Sequence, residues 1–242
     1  MKRIIKRLPI EPLESWKQHE EPQNLVYRCL QNPTKQEVHN WLLRDQGALC
    51  CYTGIRITYE DSHIEHLKPQ TICRREGQGE DIEGRNLLAA FPGEDKPNWP
   101  YGARKRGNWF GEDEHGRDAS LFIHPLRPDC ESRFRYFRDG SIQATADADS
   151  AAKATISKLG LDHGELCDRR KSVVQTTFFG KRSPTTKRDL EAFITRLDRR
   201  DHQGCFIQFC FVLKQVGKEL MRLQDRERAR RQAIARQARR TR

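Results

Sequence analysis

The sequence predicts an α+β fold, mostly helical, that closes on a long basic helix. Three observations lead there. Short apolar stretches broken by turn residues occupy the region from Ala48 to Ala144, the signature of small strands rather than of helices. From Asp147 onward, helical spacing punctuated by single glycines takes over. Charge is the third: 45 Lys and Arg against 34 Asp and Glu give +11, and residues 218–242 hold ten cations against Glu219, Asp225 and Glu227.

The elements follow in chain order. Thr34-Lys35-Gln36-Glu37 has the spacing of a capping box and opens a helix with Val38, Trp41 and Leu42 on one side, ended by Gly47. Ala48–Tyr52 and Ile55–Tyr59 read as a strand pair about the Thr53-Gly54 turn. Ser62–His66 is extended up to Pro69. Residues 70–84 read as a loop, Asn86–Phe91 as a compact apolar stretch, and 92–102 as irregular. Arg133–Ala144 forms a hairpin around Asp139-Gly140, a dipeptide suited to a tight turn. Helices are expected over 149–159 (stopped by Gly160), 164–179 (stopped by Gly180), 186–200, and from 205 into the tail. The domains implied are 1–47, an N-terminal helical segment; 48–145, a core with its hairpin; 146–225, helical; and 226–242, a basic arm that is either a solvated tail or a phosphate- or partner-binding limb.

No apolar run is long enough to span a bilayer, and the start MKRIIKRLPIEPLESW has no apolar segment behind its basic residues. A cytoplasmic protein with a polyanionic partner and no membrane is expected. The eight cysteines are scattered and include no Cys-x-x-Cys, which favours reduced thiols; Cys205 and Cys210 are expected in the core, as are Trp16 and Trp41.

The residues that carry chemistry are His63-Ile64-Glu65-His66, Asn86, and Arg104-Lys105-Arg106-Gly107-Asn108. In an extended segment His63 and Glu65 share one face. A carboxylate beside an imidazole suits metal-assisted phosphodiester hydrolysis: the carboxylate holds a hard cation, and a neutral imidazole takes a proton from water. Asn86 is placed to orient that imidazole, and Arg104, Lys105 and Arg106 to grip flanking phosphates.

In this order, Cys50-Cys51-Tyr52-Thr53, His63 to Pro69, Asn86-Leu87-Leu88 and Lys105-Arg106-Gly107-Asn108 resemble the HNH endonucleases. The likeness is nearest the PtuB-like nucleases of Septu-type and retron-associated anti-phage systems, and it runs from about Trp41 to Lys171 through Phe122–Leu126 and Arg169-Arg170. The resemblance implies a ββα-metal core within the helical chain. It implies a metal-dependent endonuclease cutting DNA, or RNA, with Mg²⁺ or Mn²⁺ and an ATPase partner. Glu65 is then the metal carboxylate, His66 the general base, and Asn86 the brace of their loop. The last ligand should come from 103–108, where Ala103 and Arg104 replace the usual Asn or His; Asn108 is the nearest substitute and His63 the next. The cysteine pairs that hold structural zinc in many members are reduced here to Cys50. No structural zinc is expected, and Phe91, Trp99, Tyr101 and Trp109 are expected to hold that loop. The alternative function is a catalytically weak nucleic-acid-binding subunit retaining the fold.

Overall fold

The computed structural model describes residues 1–118, 120–181, 183–184 and 186–240, without the side chains of 235 and 238–240. It is α+β and mostly helical, with two small antiparallel sheets.

After α1 (Glu11–His19) and α2 (Thr34–Asp45) the chain turns sharply through Gly47 and Gly54 into β1 (His63–His66). α3 (Gln70–Glu76) follows, then β2 (Leu87–Ala90), which pairs antiparallel with β1 so that Ile64 faces Ala89 and Glu65 faces Leu88. β2 is wholly buried, and its other edge is satisfied without a third strand. The Gln46 side chain accepts from Ala89 N at 2.7 Å and donates to Ala89 O at 2.8 Å, while Cys51 N donates to the same carbonyl at 3.1 Å. Buried backbone groups need such partners, and Gln46, at the end of α2, ties that helix to the ribbon.

The one-turn helix α4 (Ala103–Arg106) packs on α5 (Ser150–Leu159), and α5 in turn packs on the hairpin of β3 (Phe134–Tyr136) and β4 (Ile142–Ala144). α6 (Gly164–Phe179) and α7 (Lys187–Arg196) both lie against α8 (Cys210–Arg240). One apolar cluster runs through all of this, from Met1 to Val216. Among the described residues no helix is long and apolar enough to cross a membrane.

Several elements differ from the sequence reading. The expected pair 48–52/55–59 is only a bridge between Leu49 and Arg56: Gly54 turns the chain at φ +76°, and Cys51 is drawn to β2 instead. Residues 70–84 are not all loop, since Gln70–Glu76 is helical and Gly77 ends it in the left-handed conformation. The capping box at Thr34 does not form. Pro33 already has helical backbone angles, so Thr34 lies inside the helix, and the box forms instead at Thr186 with Asp189. α8 begins only at Cys210, after Phe209 takes φ +54° to bring its N–H onto the Gly54 carbonyl at 3.1 Å. Cys205 therefore sits half-buried outside the helix, while Cys210 is buried; Trp16 and Trp41 pack against the core from its margin.

Candidate active site

Strand periodicity sets the first feature of the site. His63 and Glu65 project from one face of β1, with His63 Nε2 3.6 Å from Glu65 Oε2. The tautomer of His63 follows from its other nitrogen. Nδ1 is hydrogen-bonded to the Pro92 carbonyl, which can only accept, so Nδ1 carries the proton. In neutral His63 the Nε2 lone pair then faces a carboxylate oxygen, two donors of electron pairs with no proton between them. That arrangement suits a cation held by both.

The second carboxylate oxygen is taken. Arg106 Nη2 lies 2.6 Å from Glu65 Oε1 and also donates to the His66 carbonyl at 2.7 Å; Nη1 donates to the carbonyls of Leu67 at 2.8 Å and Trp109 at 3.2 Å. The guanidinium is buried between the rings of Tyr52 and Phe122, and the Tyr52 hydroxyl donates to Glu65 Oε1 at 3.3 Å. Burial alone would raise the Glu65 pKa, but the charge of Arg106 and, in its protonated form, that of His63 outweigh it and hold the carboxyl at about 2. Glu65 is therefore ionised at neutral pH.

His66 points to the opposite face from Glu65. Its Nε2–H donates to the Asp81 carbonyl at 2.9 Å, so the lone pair resides on Nδ1, which accepts from the Gln70 amide at a long 3.3 Å. Tyr27 stands edge-on at 4.4 Å between ring centroids. Burial lowers the His66 pKa, keeping the imidazole neutral and its Nδ1 basic at pH 7.

Asn86 spans the loop that carries these groups. Its Oδ1 accepts from Lys68 N at 2.7 Å, and its Nδ2 donates to the carbonyls of Glu80 at 2.9 Å and Lys68 at 3.2 Å. It thus clamps the end of β1 to the turn that presents the Asp81 carbonyl to His66.

The other expected site residues divide. Glu65, His63 and Arg106 meet directly, and Asn86 adjoins His66 through the loop. Arg106 does not face solvent as a phosphate grip: on the single turn of α4 it shares the buried side with Ala103, three residues earlier, and points at Glu65. Arg104 is half-buried with Nη2 on the Gly93 carbonyl at 3.1 Å, leaving Lys105 as the exposed member of the three. Asn108 is exposed on the turn after α4, with no hydrogen bond to Glu65 among the described residues. Tyr52, Gln70 and the Asp81 carbonyl were not anticipated as site groups; Tyr52 and Gln70 had a signal, Tyr52 within the Cys-Cys-Tyr-Thr stretch and Gln70 directly after His63–Pro69. In the neighbouring loop Cys50 Sγ accepts from Phe91 N at 3.3 Å, and Phe91, Trp99 and Tyr101 stack edge-on in sequence, whereas Trp109 turns to Phe122.

Among the described residues no three His, Cys, Asp or Glu side chains converge as a cation site. A cation on Glu65 Oε2 and His63 Nε2 would therefore take its remaining ligands from water or phosphate, as Mg²⁺ commonly does.

No family model matches the chain. It is 25% identical over 161 residues, 64% of this chain and 73% of the other, to a protein of Vibrio cholerae serotype O1 biovar El Tor named "Retron Vc95 putative HNH endonuclease".

Proposed function

We propose that the chain is a metal-dependent endonuclease of the HNH type that hydrolyses phosphodiester bonds of DNA as the effector of a retron- or Septu-like anti-phage system. The observation that carries this reading is Glu65 Oε2 and His63 Nε2 side by side on one face of β1, one residue from a His66 whose Nε2–H is held by the Asp81 carbonyl and whose Nδ1 meets the Gln70 amide only at a long 3.3 Å. The likeness to a retron protein supports the defence setting, and the resemblance to Septu-type systems supports an ATPase partner.

The residues divide the work. Glu65 and His63 would hold Mg²⁺ or Mn²⁺, which supplies positive charge to the scissile phosphate and its leaving oxygen. His66 Nδ1 removes a proton from the attacking water, while the Asp81 carbonyl steadies the imidazolium through Nε2–H. Asn86 keeps that carbonyl in place. Arg106 fixes the Glu65 carboxylate and the end of β1, and Lys105 is free to meet a flanking phosphate.

Incubation of supercoiled plasmid with the purified protein, its ATPase partner added where needed, tests this directly. Nicking or cutting is expected with Mg²⁺ or Mn²⁺ and should disappear in His66→Ala. Activity that survives both His66→Ala and Glu65→Ala would remove the assignment. One observation favours a second reading, a nucleic-acid-binding subunit of weak activity: half of the Glu65 carboxylate is already neutralised by Arg106. Full affinity in chelator, with no cleavage under any metal, would select it.

A further inference from the structure

α8 meets the rest of the molecule on two sides of opposite character. Toward α7 its charges are matched, Lys214 with Asp198 at 2.6 Å and Asp225 with Lys187 at 2.7 Å. Gly217 is pressed so closely there that a Cβ would stand 3.0 Å from Ile194 Cγ1. Toward the hairpin the helix is fixed by Gln215, whose Oε1 accepts from Tyr136 N at 3.0 Å and whose Nε2 donates to Phe134 O at 2.9 Å. Between hairpin and helix lies a groove of about 510 Å³, lined among others by Arg135, Lys218, Arg222 and Arg226, with Glu219 its one acid.

None of those four cations forms an ion pair among the described residues. Lys218, Arg222 and Arg226 recur at every fourth position, and Arg230 continues the row, so the charges form a stripe with a spacing of about 6 Å along the helix axis. Like charges four apart weaken a helix, and Glu219 is the one carboxylate of the groove set against the four cations. Arg135 faces the stripe from β3, its guanidinium 4.9 Å from the Phe137 ring. A single phosphate or carboxylate would engage one or two of these groups. A row of evenly spaced cations, outnumbering the groove's one acid by four to one, fits an anion that repeats.

We propose that this groove is a track for the phosphodiester backbone of a nucleic acid, a binding surface separate from the His63–Glu65–His66 centre. The identity of the polymer rests on the nuclease reading; the need for a repeating anion rests on the groove alone. Contacts to phosphate contribute affinity and register without reading sequence.

The test is a salt titration of fluorescein-labelled duplex DNA binding, by anisotropy with metal chelated. Arg135→Ala, Lys218→Ala, Arg222→Ala and Arg226→Ala are each expected to lower the slope of log affinity against log salt by about 0.9, the amount expected for one lost phosphate contact. The combined variant should lower it by about 3 to 4 on the same basis. Lys153→Ala with Lys158→Ala removes two exposed cations of α5 and should leave the slope unchanged. An unaltered slope in the groove variants, an equal fall in the α5 control, or equally tight binding of poly-L-glutamate would overturn the proposal. Cleavage is scored apart. Loss of the nuclease reading would appear as no cutting with any divalent metal while the groove variants still flatten the slope. Failure of the groove would appear as an unchanged slope whether or not the wild-type chain cuts.

Discussion

Arg106→Met removes a buried guanidinium while roughly keeping the volume of its side chain, and it asks whether that residue is structural. Arg106 and Glu65 side chains are 2% and 12% exposed, and their oxygen–nitrogen distance is 2.6 Å. Removing one partner of a buried pair leaves the other charge uncompensated and costs about 3–5 kcal/mol. The carboxyl gives a second route to the figure. It is held at about 2 against an ordinary 4.5 as the net of burial, Arg106 and His63, and at 1.36 kcal/mol per pKa unit that difference is about 3 kcal/mol, the same order. The expected loss is therefore about 3–5 kcal/mol by urea unfolding at pH 7, read from the midpoint at constant m. Adding Glu65→Gln should restore part of it, because the stranded charge is then gone. The pH dependence has a definite sign. A carboxyl with a depressed folded pKa contributes its full stabilisation above pH 4.5 and loses it as pH falls toward 2, so wild type should weaken across that window and the Arg106→Met chain should not. A loss below about 1 kcal/mol, the scale of a surface ion pair, would refute the reasoning, as would strict additivity of the two substitutions.

Three further outcomes follow from the same geometry. Since burial lowers the His66 pKa, the acid limb of the cleavage rate should lie below pH 6.5, with a plateau above; a limb centred above 6.5 would exclude His66 as the base. Asn86→Ala strands the Lys68 amide and the Glu80 carbonyl, so a loss of about 1–3 kcal/mol and faster hydrogen exchange between Leu67 and Asp81 are expected; unchanged exchange there would count against the brace. Gly54→Ala and Gly77→Ala both place a side chain at positive φ, but only at Gly54 would the Cβ meet an obstacle, 2.4 Å from Phe211. Thermal melts should show Gly77→Ala costing about 1 kcal/mol and Gly54→Ala distinctly more, and equal costs would contradict the packing of α8 on that turn.

What could be read in advance was local. Gly160 and Gly180 end helices where single glycines after helical runs say they should, and Asp139-Gly140 turns a hairpin. The shared face of His63 and Glu65 follows from a period of two and requires no knowledge of the fold. What could not be read depends on partners distant in sequence. α3 is a seven-residue helix too short to stand alone despite its good helix formers, and Asn86, from beyond it, fixes Lys68 just ahead of it. Arg106 is the sharpest case. Within Arg-Lys-Arg it has the composition of a solvated patch, yet a one-turn helix puts it on the side of Ala103, and a buried carboxylate was waiting there. The spacing of a small residue and an arginine three apart was the available signal, and charge composition concealed it.

The division of Glu65 between two neighbours has a consequence for metal binding. Arg106 neutralises much of the carboxylate before any ion arrives, and His63 brings no charge in its neutral form. Two ligands of small net charge hold a hard cation weakly, because Mg²⁺ or Mn²⁺ gives up hydration reluctantly and gains most from full anions. A phosphodiester supplies the missing charge, so metal and nucleic acid should bind with positive coupling, each raising the affinity of the other by the same factor. Mn²⁺ titration of His66→Ala, followed by electron paramagnetic resonance, reads this without cleavage. Weak binding alone and at least about fivefold tighter binding with duplex DNA are expected, the lower end of ordinary coupling. Equal affinity in both states would mean that the protein completes the cation site by itself, and the two-ligand account of Glu65 and His63 would fall.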